Sequence, residues 1–305
     1  MQTDIYGIPC LFGLPRAESA ELLTRGHINT TYLVGICGKR YILQSVNTAV
    51  FRDLKLLADN ITRASAAVNR SGRISAPVYL HTEQGFGGCG GIWRMWEYIA
   101  AQRQPTPYET GYIYGCTINA LDGVKSFHCA VEGFHDTRNI MSRMRKHGTE
   151  TFFSDADTAA FADVPLRNIH ADAKTDNCIV SVSGGLAVID LDTVMTHYAA
   201  YDYGDMVRSV CRQDFGDLRA LTEGFAAGLD GVLSDKETES LYSGVIYVTG
   251  ELAVRYMRAA DGAEDLGKAP HECLVRADEL IRQLALFRQN EDYIRDTVRK
   301  VFSDV

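Results

Sequence analysis

The feature that most limits the fold of this chain is a run near its middle, "NIHADAKTDNCIVSVSGGLAVIDLDT" (168–193). Two apolar, β-branched pieces, "CIVSV" and "LAVID", are joined through Ser183-Gly184-Gly185, the pattern of a β-hairpin. In an antiparallel hairpin the residue before the first strand and the residue closing the second lie at the same end of the ladder, so Asn177 and Asp190 are expected to meet. Asp192 lies two positions past Asp190 and shares its face if the strand continues. The fold therefore has to carry several charged side chains at one end of an otherwise buried hairpin.

With 305 residues, 46% of them hydrophobic and 23% charged, the chain can bury one large core or two lobes with cores of their own. A net charge of −8 argues against a phosphate-backbone reader, so nucleic acid is not an expected partner. The first twenty residues lack a basic stretch ahead of an apolar run, and no segment reaches the ~18 apolar residues of a membrane span. No membrane association is expected, and the expected location is the cytoplasm. Eight scattered cysteines without a C-x-x-C read as reduced, mostly buried thiols.

The pattern changes near residue 100. Before it come strand-like runs at "TYLVGI" (31–36), "KRYILQSV" (39–46), "APVYLH" (76–81) and "IWRMWEYI" (92–99), with a helical pattern ending in Ser-Gly between the second and third. "TEQGFGGCGG" fits a hairpin loop. After it the pattern is mainly helical, with long periodic segments at "YDYGDMVRSVCRQ", "LYSGVIYVTGELAVRYMRAA" and "ECLVRADELIRQLALFRQNEDYIRDTVRKVF". This predicts an α+β chain with a small β-rich lobe (1–99) and a larger, mainly helical lobe (100–305).

Set into that frame, His170-x-Asp172-x-x-x-x-Asn177, followed thirteen residues later by Asp190, has the layout that phosphoryl transfer needs. One carboxylate accepts the proton of the acceptor hydroxyl, while an Asn and a second Asp hold the Mg²⁺ that neutralises phosphate charge. Taken singly, Asp and Asn beside a strand are equally well read as turn formers or caps. It is their combination with the hairpin and the preceding β-rich lobe that points to a kinase.

The stretches "GHINTTYLV", "YILQSVNTAVF", "FHDT", "HADAKTDN", "VIDLDTVM" and "YDYGDMVR" carry a resemblance to the aminoglycoside phosphotransferase and choline kinase superfamily of protein kinase-like folds, most of all to bacterial N-acetylhexosamine 1-kinases. The likeness runs over about residues 26–210 and is loose beyond. It implies a bilobal protein kinase-like fold and an ATP- and Mg²⁺-dependent kinase acting on the anomeric hydroxyl of an N-acetylhexosamine. It implies Asp172 as base, Asn177 and Asp190 as metal ligands, Lys174 at the γ-phosphate or the sugar, and Asp192 on sugar hydroxyls. His170 would orient the loop, and Asp202 or Asp205 would brace it or cap a helix, with Arg208 pairing one of them.

Gly26 with Asn29, Thr30 and Thr31 would cover the nucleotide phosphates, and the backbone of Glu97 and Ile99 would read the adenine edge. An arginine expected late in the chain would be Arg276 or Arg282. One departure from protein kinases stands out: Gln44, a residue the resembling hexosamine kinases also show, occupies the place of their phosphate-gripping lysine and leaves that grip unassigned, and the partner acid expected from the small-lobe helix would be Asp59. Kinases of choline, homoserine, other sugars or aminoglycosides, and a nucleotide-binding protein without catalysis, remain open alternatives. Oligomeric state is not indicated.

Overall fold

A computed structural model describes residues 3–24, 28–80, 82, 86–88, 90–136, 152–264 and 266–303. The N-terminal part is built on an antiparallel sheet of β1 (Ser19–Leu23), β2 (Thr30–Ile36), β3 (Lys39–Ser45), β4 (Tyr79–Leu80), β5 (Gly87–Gly88) and β6 (Ile92–Glu97), in the order β1-β2-β3-β6-β4 with β5 on β6. Cys37 and Gly38, both at positive φ (49° and 75°), make the two-residue turn that sets Ile36 opposite Lys39 and fixes the β2–β3 register. Strand β1 carries little alternation and was not expected from the sequence. "APVYLH" contributes only the two residues of β4.

Helix α1 (Leu54–Ser71) starts where the Asp53 side chain accepts from the Leu56 N–H and stops at Gly72. Its buried face, Leu57, Ile61, Ala64 and Val68, belongs to the same core cluster as the helical lobe, whereas Val34, Ile36, Leu43, Trp93 and Met95 of the sheet form a second cluster with Ile8 and Phe12.

The larger part holds helices α2 (Pro107–Leu121), α3 (Asp155–Ala159), α4 (Ala199–Val210), α5 (Leu218–Leu229), α6 (Asp235–Ala260), α7 (Pro270–Gln289) and α8 (Glu291–Ser303). The long C-terminal periodic segment is thus two helices, parted at Asn290. Helices α2 and α5 were not singled out in the sequence, yet they pack closely. A Cβ on Gly111 or Gly115 of α2, or on Gly224 or Gly228 of α5, would come within 3.0 Å of the opposite backbone. Gly204 of α4 and Gly244 of α6 meet in the same way.

Between sheet and helices lie two small ladders. One joins β7 (Ala101–Arg103), β9 (Cys178–Ser181) and β10 (Leu186–Val188); the other joins β8 (Arg167–Ile169) and β11 (Met195–His197). Among the described residues no helix is long and apolar enough to cross a membrane, and the seven described cysteines are free thiols.

Because those glycines leave no room for a side chain, Gly224→Val is expected to force α5 off α2 and to lower unfolding stability by about 2 kcal/mol or more. A urea melt within 0.5 kcal/mol of wild type would show that the helices tolerate wider spacing.

Candidate active site

The hairpin forms as read, with Leu186 opposite Val180 and Val188 opposite Cys178. The Ile189 N–H donates to the Asn177 carbonyl at 2.9 Å, so Asn177 and Asp190 are brought to one end of the ladder. The strand does not continue past that point. Asp190 adopts left-handed backbone (φ 61°) and Leu191–Thr193 is a 3-10 turn, so Asp190 and Asp192 do not share a strand face.

Asp172 and Asn177 sit on the loop between β8 and β9. Asn177 Nδ2 donates to the Asp172 carbonyl and to Asp172 Oδ2, both at 2.9 Å, while Lys174 Nζ reaches the same Oδ2 at 2.6 Å. Burial pushes the Asp172 carboxyl up, but the Lys174 ammonium and its hydrogen bond outweigh it and hold the group below the usual carboxylate value. Lys174 is raised in turn, since Asp172 outweighs the burial that disfavours its charge. Tyr114 of α2 donates to the Lys174 carbonyl at 2.7 Å.

The loop is held from below by Asp202, the first-turn acid of α4. Its two oxygens accept the backbone N–H groups of His170 (2.8 Å) and Ala171 (2.7 Å). Full burial raises Asp202 to about 6 despite those bonds. Asp205 instead pairs with Arg208, at 2.9 Å from Nε. His170 Nδ1 accepts from the Asp172 N–H (3.2 Å), which puts its proton on Nε2, donated to the Ile189 carbonyl (2.9 Å). It orients the loop.

The histidine of "FHDT" has no role legible from the sequence alone. His135 lies buried with Nε2 on the Ala171 carbonyl (2.9 Å) and Nδ1 on the Glu251 carboxylate of α6 (3.0 Å). With an oxygen acceptor at each nitrogen the ring is a cation. Burial pushes it down, the Glu251 charge and hydrogen bond push it up, and the net direction is up. Neighbouring His197 is lowered to about 4 by burial and by the positive charge of His135.

Asp190, at the open end of the hairpin, keeps exposed surface. The protein packed around its carboxyl and the Asp192 and Asp172 carboxylates push it up to about 6. Among the described residues no three His, Cys, Asp or Glu side chains are placed to hold a metal by themselves. The pair Asn177 and Asp190 nonetheless fits Mg²⁺, which usually takes one or two carboxylates and leaves its remaining positions to phosphate and water. With Asn177 Nδ2 committed to Asp172, its Oδ1 is left as the donor, and Asp190 stands in an anionic surrounding that a cation relieves.

The other expected residues are distributed as follows. Asp192 does not face an acceptor hydroxyl: it is 4% exposed, and both its oxygens are taken by Arg94, so the sugar-binding expectation gives way to an ion pair. Asn29 donates to Asp192 at 3.4 Å and accepts the Asn47 N–H, and Thr30 opens β2 opposite Ser45. Gly26 lies outside the described residues. Glu97 ends β6 with its side chain on Lys39, and Ile99 follows in the segment leading to β7. Asp59 is exposed and pairs with Arg63 of its own helix, so it does not serve as partner to a small-lobe cation. Trp93 packs in the sheet core.

Beside Asp172 opens a cavity of about 320 Å³. Lys174, Asp205, Arg208, Arg212, Arg255 and Arg276 supply most of its charged lining, and Phe134, Val248, Leu252 and Tyr256 an apolar side. Arg276 therefore reaches the cavity; Arg282 is not among the lining residues.

The family model described as the Phosphotransferase enzyme family matches residues 19–236. Among solved structures, the chain is similar to an aminoglycoside phosphotransferase from Alicyclobacillus acidocaldarius (TM-score 0.62, 13% identity, 93% of each chain). It is also similar to choline kinase LicA from Streptococcus pneumoniae (TM-score 0.60, 15% identity, 88% of this chain and 94% of that one). A choline/ethanolamine kinase family protein from Mesorhizobium loti matches with TM-score 0.56 and 16% identity over 93% and 97%. These likenesses show the kinase-like fold.

Two outcomes follow from the geometry. Asp202→Asn sets an NH₂ against one of the two backbone N–H groups and is expected to lower kcat by about 10–100-fold, with the circular dichroism spectrum unchanged, through misplacement of Asp172; full activity in the folded variant would remove the bracing role. The His135 contribution to stability is complete below 6.5, its ordinary value, and is lost as pH rises through its raised folded value. Glu251, held below its ordinary 4.5, contributes above that value and loses its part as pH falls. His135→Asn is therefore expected to flatten the alkaline loss of stability in melts taken across that range.

Proposed function

Because the chain belongs to the phosphotransferase enzyme family, we propose that it is an ATP- and Mg²⁺-dependent kinase that phosphorylates the anomeric hydroxyl of an N-acetylhexosamine, N-acetylglucosamine or N-acetylgalactosamine, to the sugar 1-phosphate. The observation that carries the acceptor class is the charge balance of the cavity beside Asp172. Its buried carboxylates are matched: Asp205 by Arg208, Glu251 by His135 and Asp172 by Lys174. Of the other lining charges, Arg255 and Arg276 are paired with Glu264 and Glu279, and Asp176 lines the cavity along with Arg212, so the lining holds arginine donors without a surplus of acids that would cage a cation.

Similar structures are those of kinases of choline and aminopropanol and of aminoglycoside phosphotransferases. Such cationic acceptors call for an acidic or aromatic cage. A neutral, oxygen-rich acceptor suits arginine donors instead, because each hydroxyl or amide oxygen desolvated there finds an N–H. The apolar side formed by Phe134, Val248, Leu252 and Tyr256 suits an acetyl methyl and the C–H face of a sugar ring. A cavity of about 320 Å³ is at the small end for ligand sites, in keeping with a monosaccharide.

For the nucleotide, similar structures hold AMP, GDP and ADP. Here the backbone at Glu97 and Ile99 would read the adenine edge, and Gly26, Asn29 and Thr30 would cover the phosphates. Asn177 Oδ1 and the Asp190 carboxylate would hold Mg²⁺, which on binding neutralises charge on the phosphates.

Asp172 accepts the proton of the acceptor hydroxyl as the phosphoryl group arrives. A hemiacetal hydroxyl is more acidic than an ordinary alcohol, so a carboxylate held below its usual value by Lys174 suffices as base. Lys174, 2.6 Å from Asp172, brings positive charge to the same spot and offsets the negative charge of the incoming group. His170, Asp202 and His135 keep the loop in place, so that positioning contributes a large share of the rate.

The experiment is an ATP-consumption panel of free N-acetylhexosamines, other sugars, choline, homoserine and an aminoglycoside, with the product identified by ³¹P NMR. A sugar 1-phosphate is expected; preference for a cationic acceptor, or phosphate at the 6-position, would overturn the acceptor assignment. With the active acceptor, Asp172→Asn should lower kcat by about 10²–10⁴ while nucleotide and sugar affinity stay within a few-fold. A folded Asp190→Asn with unchanged Mg²⁺ dependence would remove Asp190 from the metal site.

A further inference from the structure

Strand β3 presents Gln44 where a kinase of this architecture is expected to carry a cation. Gln44 is directly opposite Arg94 of β6 in the sheet register, so the two side chains leave the same face. Arg94 is 2% exposed, and among the described residues it is the buried Lys or Arg of the N-terminal sheet and helix α1. Gln44 Oε1 accepts from Arg94 Nε at 2.8 Å, and Gln44 Nε2 donates to Thr31 of β2 at 2.8 Å, so the amide serves as a bracket for the guanidinium.

The fork itself is spent on Asp192: Nη1 to Oδ1 at 2.5 Å and Nη2 to Oδ2 at 2.7 Å. Asp192 lies on the 3-10 turn that follows Asp190, and Asn29 adds a third contact from the β1–β2 connection. The acid of α1 that might have been the partner, Asp59, is on the surface.

We propose that Arg94 stands in for the absent lysine as a positioning residue: held by Gln44 and forked on Asp192, it locks the Asp190-bearing turn to the nucleotide-side sheet and so sets where the metal-bound phosphates lie. The cation has moved one strand over, from β3 to β6, and its acid has moved from the small-lobe helix to the turn after Asp190. The pair joins the same two bodies, sheet and metal-bearing turn, through a planar bidentate contact that a lysine cannot make. This role concerns the nucleotide half of the site and does not depend on which acceptor is used.

Arg94→Met alone leaves Asp192 buried without a partner and is expected to destabilise the fold, so the decisive variant removes both charges. Arg94→Met/Asp192→Asn is expected to melt close to wild type, yet to bind ADP about 10–100-fold more weakly in Mg²⁺ by calorimetry, as loss of an outer contact to a metal site does. Adenosine affinity and ADP affinity in EDTA should stay within a few-fold of wild type, and kcat should fall with Mg²⁺-ADP affinity. Adding Gln44→Lys to this background, which returns a cation to β3, is expected to regain part of the Mg²⁺-ADP affinity. A folded double variant with wild-type Mg²⁺-ADP affinity and kcat would reduce the ion pair to a packing element and overturn the proposal. So would equal losses for adenosine and ADP, which would mean a general collapse of the nucleotide site, or no regain at all from Gln44→Lys.

Discussion

Much of the site rests on one carboxylate accepting two adjacent backbone N–H groups. Ala171 has left-handed backbone, φ 65°, a conformation that costs a non-glycine residue on the order of 1 kcal/mol. Asp202 holds that peptide from one side by taking the His170 and Ala171 N–H groups, and His135 holds it from the other by donating to the Ala171 carbonyl. The kink so fixed turns Asp172 toward Lys174 and Asn177. Both supports come from the helical lobe, Asp202 from α4 and Glu251 behind His135 from α6. The Gly204–Gly244 contact lets those two helices lie close enough for both supports to reach one loop.

A second constraint is electrostatic. Asp172, Asp190 and Asp192 lie near enough to raise Asp190, and the protein answers with cations assigned one by one: Lys174 to Asp172 and Arg94 to Asp192. Asp190 is the one left, among the described residues, without a side-chain ion pair of its own. An active site for phosphoryl transfer needs this asymmetry, because a carboxylate already satisfied by the protein has less to offer a metal.

The sequence made some of this legible, for reasons that can be stated. That Asn177 and Asp190 meet at one end of the hairpin was legible because a short Gly-containing turn sets the register of the two strands. The two-part organisation followed from the switch between short alternating runs and long helical periods. Helices α2 and α5 escaped notice because glycines at their shared face interrupt the apolar stripe that marks an ordinary packed helix. The Arg94–Asp192 pair had no local signature, since its members are 98 residues apart and an arginine in "IWRMWE" reads as an exposed strand residue. Asp192 was misread for a related reason: the strand period was carried past Val188, where left-handed Asp190 ends it.

The division of the core carries a dynamic consequence. Helix α1 shares its buried cluster with the helical lobe and with Tyr79, Ile92 and Trp96 of the sheet, while Val34, Leu43 and Met95 on the other side of the sheet close on a second cluster with Ile8 and Phe12. The part most open to local unfolding is therefore β1 and β2 with the N-terminal turn, farthest in the sheet from the Arg94–Asp192 pair. In native-state hydrogen exchange the amides of α1 would keep time with the helical bundle and the strands would open at a lower free energy. The boundary between the two clusters then runs through the sheet itself, with β6 tied to the turn after Asp190 by Arg94 and with β1 and β2 on the outer side.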